Sequence, residues 1–109
     1  MSYKVIPTPE FIKNLKTLKK KYKNIKNDVL ALANRLEKNP TIGTDLGNNT
    51  FKVRIKNSDN NKGKSAGYRI ITYCINDKKE LFLVTIYSKS EKENILELEL
   101  KELIAKLNL

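Results

Sequence analysis

Residues 51–75, FKVRIKNSDNNKGKSAGYRIITYCI, decide the fold. Phe51, Val53 and Ile55 alternate with Lys52, Arg54 and Lys56, the period of a strand with one apolar and one cationic face. The Asn-, Ser- and Gly-rich run 57–67 reads as a hairpin loop, and the β-branched and aromatic run 68–75 as the returning strand. Asn76-Asp77-Lys78-Lys79 then makes a tight turn into a third strand from Leu81 to Tyr87. Three consecutive strands with short connections predict an antiparallel meander.

Upstream, Tyr3-Lys4-Val5-Ile6 is a short strand closed by Pro7, and Thr8-Pro9-Glu10 carries the marks of a helix start: an N-cap hydroxyl, proline at the first position and an acid in the first turn. Phe11, Leu15, Leu18 and Tyr22 give that helix an apolar stripe, and Ile25, Val29, Leu32, Ala33 and Leu36 give a second helix one, stopped at Asn39-Pro40. The segment 41–50, TIGTDLGNNT, reads as a loop. Downstream, Ser88 or Ser90 caps a helix opening through Glu91 and Glu93, with Leu96, Leu100, Leu103, Ile104 and Leu107 as its stripe. The expected order is β-α-α-β-β-β-α: one α+β domain over residues 1–109, with an N-terminal helical hairpin, a small antiparallel sheet and a C-terminal helix, the helices on one side.

The chain has 109 residues, with 22 Lys and Arg against 12 Asp and Glu, a formal charge of +10 and a pI near 9.7. That balance favours an anionic partner. The total absence of histidine removes His-based acid–base pairs, Ser-His and Cys-His nucleophiles and His metal sites together. Glu91, Glu93, Glu97, Glu99 and Glu102 are spaced as a solvated helix face, so neither a metal nor another cofactor is expected. The lone Cys74, between Tyr73 and Ile75, reads as a core thiol. No apolar run is long enough to span a membrane and the opening MSYKVIPTPEF lacks a signal-peptide core, which points to the cytoplasm and away from membrane partners.

The charge is uneven. Lys13, Lys16, Lys19, Lys20, Lys21, Lys23 and Lys26 stand between Phe11 and Asn27 without one acid, and six bases stand against Asp59 alone from Lys52 to Arg69. Gly63-Lys64-Ser65 resembles the end of a nucleotide-binding loop, but such a loop opens a helix and this one runs into a strand. The cations of the strands are a stronger signal. Lys52, Arg54 and Lys56 share one face, the hairpin brings Arg69 across from them, and like charges on neighbouring strands cost about 0.2–1 kcal/mol per pair. Two readings stay open, a face built to receive an anion and a basic face that discourages edge pairing. For RNA the first suffices: the ribose 2′-hydroxyl is an internal nucleophile, and cations align it, stabilise the phosphorane and, through a lysine of depressed pKa, move its proton. Tyr87 and Lys89, at the end of the last strand, would add a stacking surface and a further cation. Lys19, Lys20, Lys21, Lys56, Lys62 and Lys64 are candidates for RNA or ribosome contact, with a merely solvated face as the rival reading of the lysine helix.

FKVRI, GKSAGYRII and IYSKSEKENI, in this order and after a helical hairpin stopped at Asn-Pro, resemble the RelE/ParE toxins of bacterial type II toxin–antitoxin modules, closest to the RelE and HigB-like branch, over essentially the whole chain. The resemblance implies a ribosome-dependent mRNA endonuclease acting in the decoding site. It also implies a cognate antitoxin, acidic or DNA-binding, that neutralises the toxin and through which alone it meets operator DNA. It places Lys52 and Arg54 at the family's basic second-strand positions, one lysine there being the proposed base, Arg69 at the transition-state arginine, and Lys89 at a further basic position. The tyrosine that stacks on the mRNA base falls at Ile95, a departure that leaves Tyr87 as the candidate substitute. A ParE-like gyrase inhibitor and a non-catalytic nucleic-acid-binding module or inactive toxin are the alternatives.

Overall fold

The computed structural model describes residues 2–60, 66–92 and 94–107. Its elements are β1 (Lys4–Pro7), α1 (Pro9–Lys19), α2 (Ile25–Lys38), β2 (Thr44–Gly47), β3 (Thr50–Ile55), β4 (Tyr68–Ile75), β5 (Glu80–Ser88) and α3 (Glu97–Ala105). The strands form one sheet in the order β1-β5-β4-β3-β2. β2 to β5 run antiparallel, and β1 joins the edge of β5 in parallel, which makes the sheet mixed. The fold is α+β, with the expected meander at its centre.

The helical hairpin forms as its stripes require. Thr8 caps α1, its Oγ1 accepting from the Phe11 N–H at 3.2 Å and lying 3.0 Å from both the Leu83 and Val84 carbonyl oxygens, so the cap also ties the helix to β5. Phe11 and Leu18 of α1 and Ile25, Val29, Leu32 and Leu36 of α2 bury against Val53, Ile55, Tyr68, Ile70, Cys74, Leu81, Leu83 and Ile86. Burying each such large side chain contributes about 1.5–3 kcal/mol relative to leaving it in water. Cys74 is a buried thiol, pushed up in pKa by its burial.

Three expectations are corrected. The segment read as a loop contains β2, which pairs with β3 through a tight turn at Asn48 and Asn49, both at positive φ (52° and 64°), the left-handed conformation a two-residue hairpin turn demands and asparagine tolerates. The helix expected from Ser88 makes one turn only, the Ser88 carbonyl accepting from the N–H groups of Glu91 and Lys92, and α3 starts at Glu97. Glu93, placed in that first turn, lies outside the described residues. Finally, α3 does not join the hairpin. Leu103 packs with Ile71 and Val84 on the opposite face, with Tyr73, Phe82, Ile95, Leu100, Ile104 and Leu107 around them.

Two backbone features set up that second face. Ile71 pairs with Thr85 but Thr72 with Leu83, so Val84 is an extra residue, a β-bulge. Before it Leu81 and Leu83 face the hairpin, and after it Ile86 does, which turns Tyr87 to the α3 side. At the entry to β4, a Cβ on Gly67 would stand 2.0 Å from the Ile55 carbonyl oxygen, so only glycine lets the two strands close there. Gly67→Ala is expected to destabilise the protein by about 1–3 kcal/mol, as overpacking does, read as a lower denaturant midpoint.

Candidate active site

The site grows out of the sheet's register. Arg54 of β3 lies directly opposite Arg69 of β4, and Arg69 opposite Tyr87 of β5, so three strands deliver one row of side chains. The next row places Lys52 opposite Ile71, at the margin of the α3 cluster. Alternation puts these groups on the face that carries α3, away from the hairpin core.

Arg69 is the centre of the row and only 2% exposed. Burial and the neighbouring Arg54 charge both lower its pKa, and its Nη1 donates to the Tyr68 carbonyl at 3.4 Å. A buried guanidinium with a second one on the neighbouring strand makes a local positive field that attracts an anion. Tyr87 is 8% exposed, its hydroxyl buried without a hydrogen-bond partner among the described residues. Burial pushes its phenol up, more than the nearby Ile95 backbone and the Arg69 charge pull it down, so the group stays protonated at neutral pH. One face of its ring is covered: Lys92 Nζ stands 5.5 Å from the ring centroid and 2.6 Å from Glu99 Oε1. That face of the Tyr87 ring becomes open to a base when Lys92 leaves. Lys52 Nζ reaches Asn94 Oδ1 at 3.4 Å.

Of the remaining predicted residues, Lys89 stands near this row, whereas Lys56, expected on one face with Lys52 and Arg54, falls past the end of that strand and against α2 instead. Lys89 follows β5, half-buried, its N–H bonded to the Gly67 carbonyl at 3.0 Å and hence at the same end of the sheet as Arg69. Lys56 lies beyond the end of β3 and lines a shallow groove with Asp28 and Arg35 of α2. Lys19, Lys20 and Lys21 are exposed where α1 ends. That end is tied to the exit of β5, with Tyr22 Oη 3.3 Å from Ser90 Oγ and Lys21 Nζ 4.0 Å from Glu91 Oε1. Lys62 and Lys64 lie outside the described residues. Asp59, the one acid in the basic stretch, is engaged elsewhere: its carboxylate accepts from the Asn24 N–H at 3.1 Å and Nδ2 at 2.9 Å at the start of α2, and leaves the sheet cations their positive field. Ile95 packs in the α3 cluster as an apolar side chain.

Lys92, Asn94 and Glu99 were not singled out from the sequence as members of this site. No periodicity marks them, because they reach it from an irregular segment and from a helix whose docking face is set by tertiary packing. No helix among the described residues is long and apolar enough to cross a membrane.

Comparison with known proteins adds two findings. The model of a family described as the RelE toxin of the RelE/RelB toxin–antitoxin system matches residues 11–107. Two solved structures are similar along nearly their full length. The E. coli RelE toxin in the free state, with two arginines replaced by alanine, aligns at 14% identity over 97% of this chain and 98% of that one with a TM-score of 0.64. The isolated E. coli RelE toxin in a crystal aligns at 14% identity over 97% and 99% with a TM-score of 0.62. At that identity the likeness carries the fold.

Proposed function

Because the chain belongs to the RelE toxin family of the RelE/RelB toxin–antitoxin system, we propose that it is a metal-independent endoribonuclease that cuts mRNA in the decoding site of the ribosome. A cognate antitoxin would neutralise it. The observation that carries this reading is the row Arg54–Arg69–Tyr87, in which two guanidiniums and a protonated phenol converge on one sheet face.

The chemistry needs no external nucleophile. The 2′-oxygen attacks the adjacent phosphorus as the bond to the 5′-oxygen breaks, leaving a 2′,3′-cyclic phosphate and a 5′-hydroxyl. Arg69 and Arg54 stabilise the negative charge that builds on the non-bridging oxygens. In this reading Lys52 takes the 2′-proton, and Tyr87, a phenol kept protonated by its burial, donates to the phosphorane or the departing oxygen. The ribosome would supply the in-line alignment. The exposed field of a +10 chain suits an acidic antitoxin segment laid over the same face, with operator DNA met only through that complex.

Primer extension on an mRNA translated by purified ribosomes tests the reading. Cleavage that appears only during translation is the expected result; no cleavage together with inhibited DNA supercoiling by gyrase would replace it. The lysine run has its own test. Reversing Lys19, Lys20 and Lys21 to glutamate is expected to weaken ribosome binding and flatten its salt dependence by about one unit of slope for each phosphate no longer neutralised. Unchanged binding would make that run a solvated face.

A further inference from the structure

Lys92 sits over the Tyr87 ring with its ammonium turned to Glu99 of α3, at 2.6 Å from Oε1. Tyr87 is the cross-strand neighbour of Arg69, so this lysine stands over the β5 end of the row, one strand from its centre. The two side chains of the pair are 34% and 41% exposed, which leaves them open to exchange with another anion. Among the other acids of α3, Glu97 is paired along the helix with Lys101 at 3.5 Å, and both are far more exposed. Glu99 is the acid that reaches onto the site.

We propose that Lys92 is a phosphate-binding position for RNA, and that Glu99 is a resident carboxylate that occupies it in the free protein and is displaced by an RNA phosphate. The proposal rests on RNA being the ligand of this sheet face. A carboxylate and a phosphodiester offer an ammonium the same kind of anionic oxygen. Lysine, a point charge with rotatable donors, passes from one to the other without the geometric demands of a guanidinium. The exchange also uncovers the Tyr87 ring, so engaging the phosphate and opening a surface for a base become one event. Until then Glu99 holds one cation of the site out of use.

The test uses the full chain and a fluorescent single-stranded RNA of about a dozen nucleotides, titrated at low ionic strength. Glu99→Gln is expected to tighten binding about twofold to fivefold, the scale of a partly exposed ion pair, beyond any gain from Glu102→Gln, which removes an equal charge from an exposed position of the same helix. Glu99→Ala must move in the same direction, with unchanged thermal unfolding in each variant. In Lys92→Met the Glu99→Gln gain should vanish. Equal effects of the two glutamates, a gain that persists without Lys92, or no RNA binding at all would each overturn the proposal. Because affinity is read off the ribosome, an inactive cleavage assay beside an intact Lys92-dependent gain would instead sink only the ribonuclease reading.

Discussion

Replacing Arg69 by methionine should lower translation-dependent mRNA cleavage by about 10²–10³-fold, the usual loss when one stabilising donor is taken from a developing oxyanion, and abolish growth arrest. The same change should leave a cooperative thermal unfolding transition. Arg69 is 2% exposed, directly opposed to Arg54, and lowered in pKa by burial and by that neighbour. Methionine keeps an unbranched stem and removes the planar guanidinium, so the variant reads the loss of the charged fork. Lost cleavage in a chain that still melts cooperatively is a result that a purely structural arginine could not produce. Primer extension beside a thermal melt reads both. Full cleavage by the variant would remove Arg69 from the chemistry, and a collapsed melting transition would make it a packing residue.

Tyr87→Phe is expected to show the same divergence, with a loss of about 10²-fold in cleavage, the lower range for removing a proton donor. Its hydroxyl is buried without a hydrogen-bond partner among the described residues, so deleting it leaves nothing behind unsatisfied. Single-turnover cleavage on programmed ribosomes reads the chemical step. A rate within twofold of the unsubstituted protein would assign Tyr87 to packing alone.

Much of this architecture was legible because it is local. Alternation in 51–56, the Asn- and Gly-rich loop and the β-branched return strand define a hairpin, and a hairpin is enough to set Arg69 across from Arg54. β2 escaped because all four of its residues are exposed, so no apolar alternation announces it; only the Asn-Asn turn does. The start of α3 was misplaced because Ser88 and the acids after it satisfy the rules of a helix start, yet spend them on a single turn. Its side of the sheet was beyond any local signal. Leu96 and Leu98 are 72% and 68% exposed while Leu103 is buried, so the apolar residues of that segment outnumber those that dock. The Lys92–Glu99 pair depends on that docking and inherits its illegibility.

The bulge at Val84 has a genetic consequence. It divides β5 into two reading frames of opposite parity, odd positions inward up to Leu83 and even positions inward from Ile86. A substitution map of this strand should therefore change phase at residue 84, with apolar side chains required on alternate sides of it. The loss of the Val84 codon would remove the extra residue and leave plain alternation, with Leu83 and Ile86 still inward and Tyr87 still on the α3 side. Pairing the full-length strand without the bulge would instead exchange the assignments of everything that follows, carrying Tyr87 into the oily layer beneath the helical hairpin and Ile86 out among the guanidiniums. The strand thus tolerates a missing residue at this point better than a slipped one.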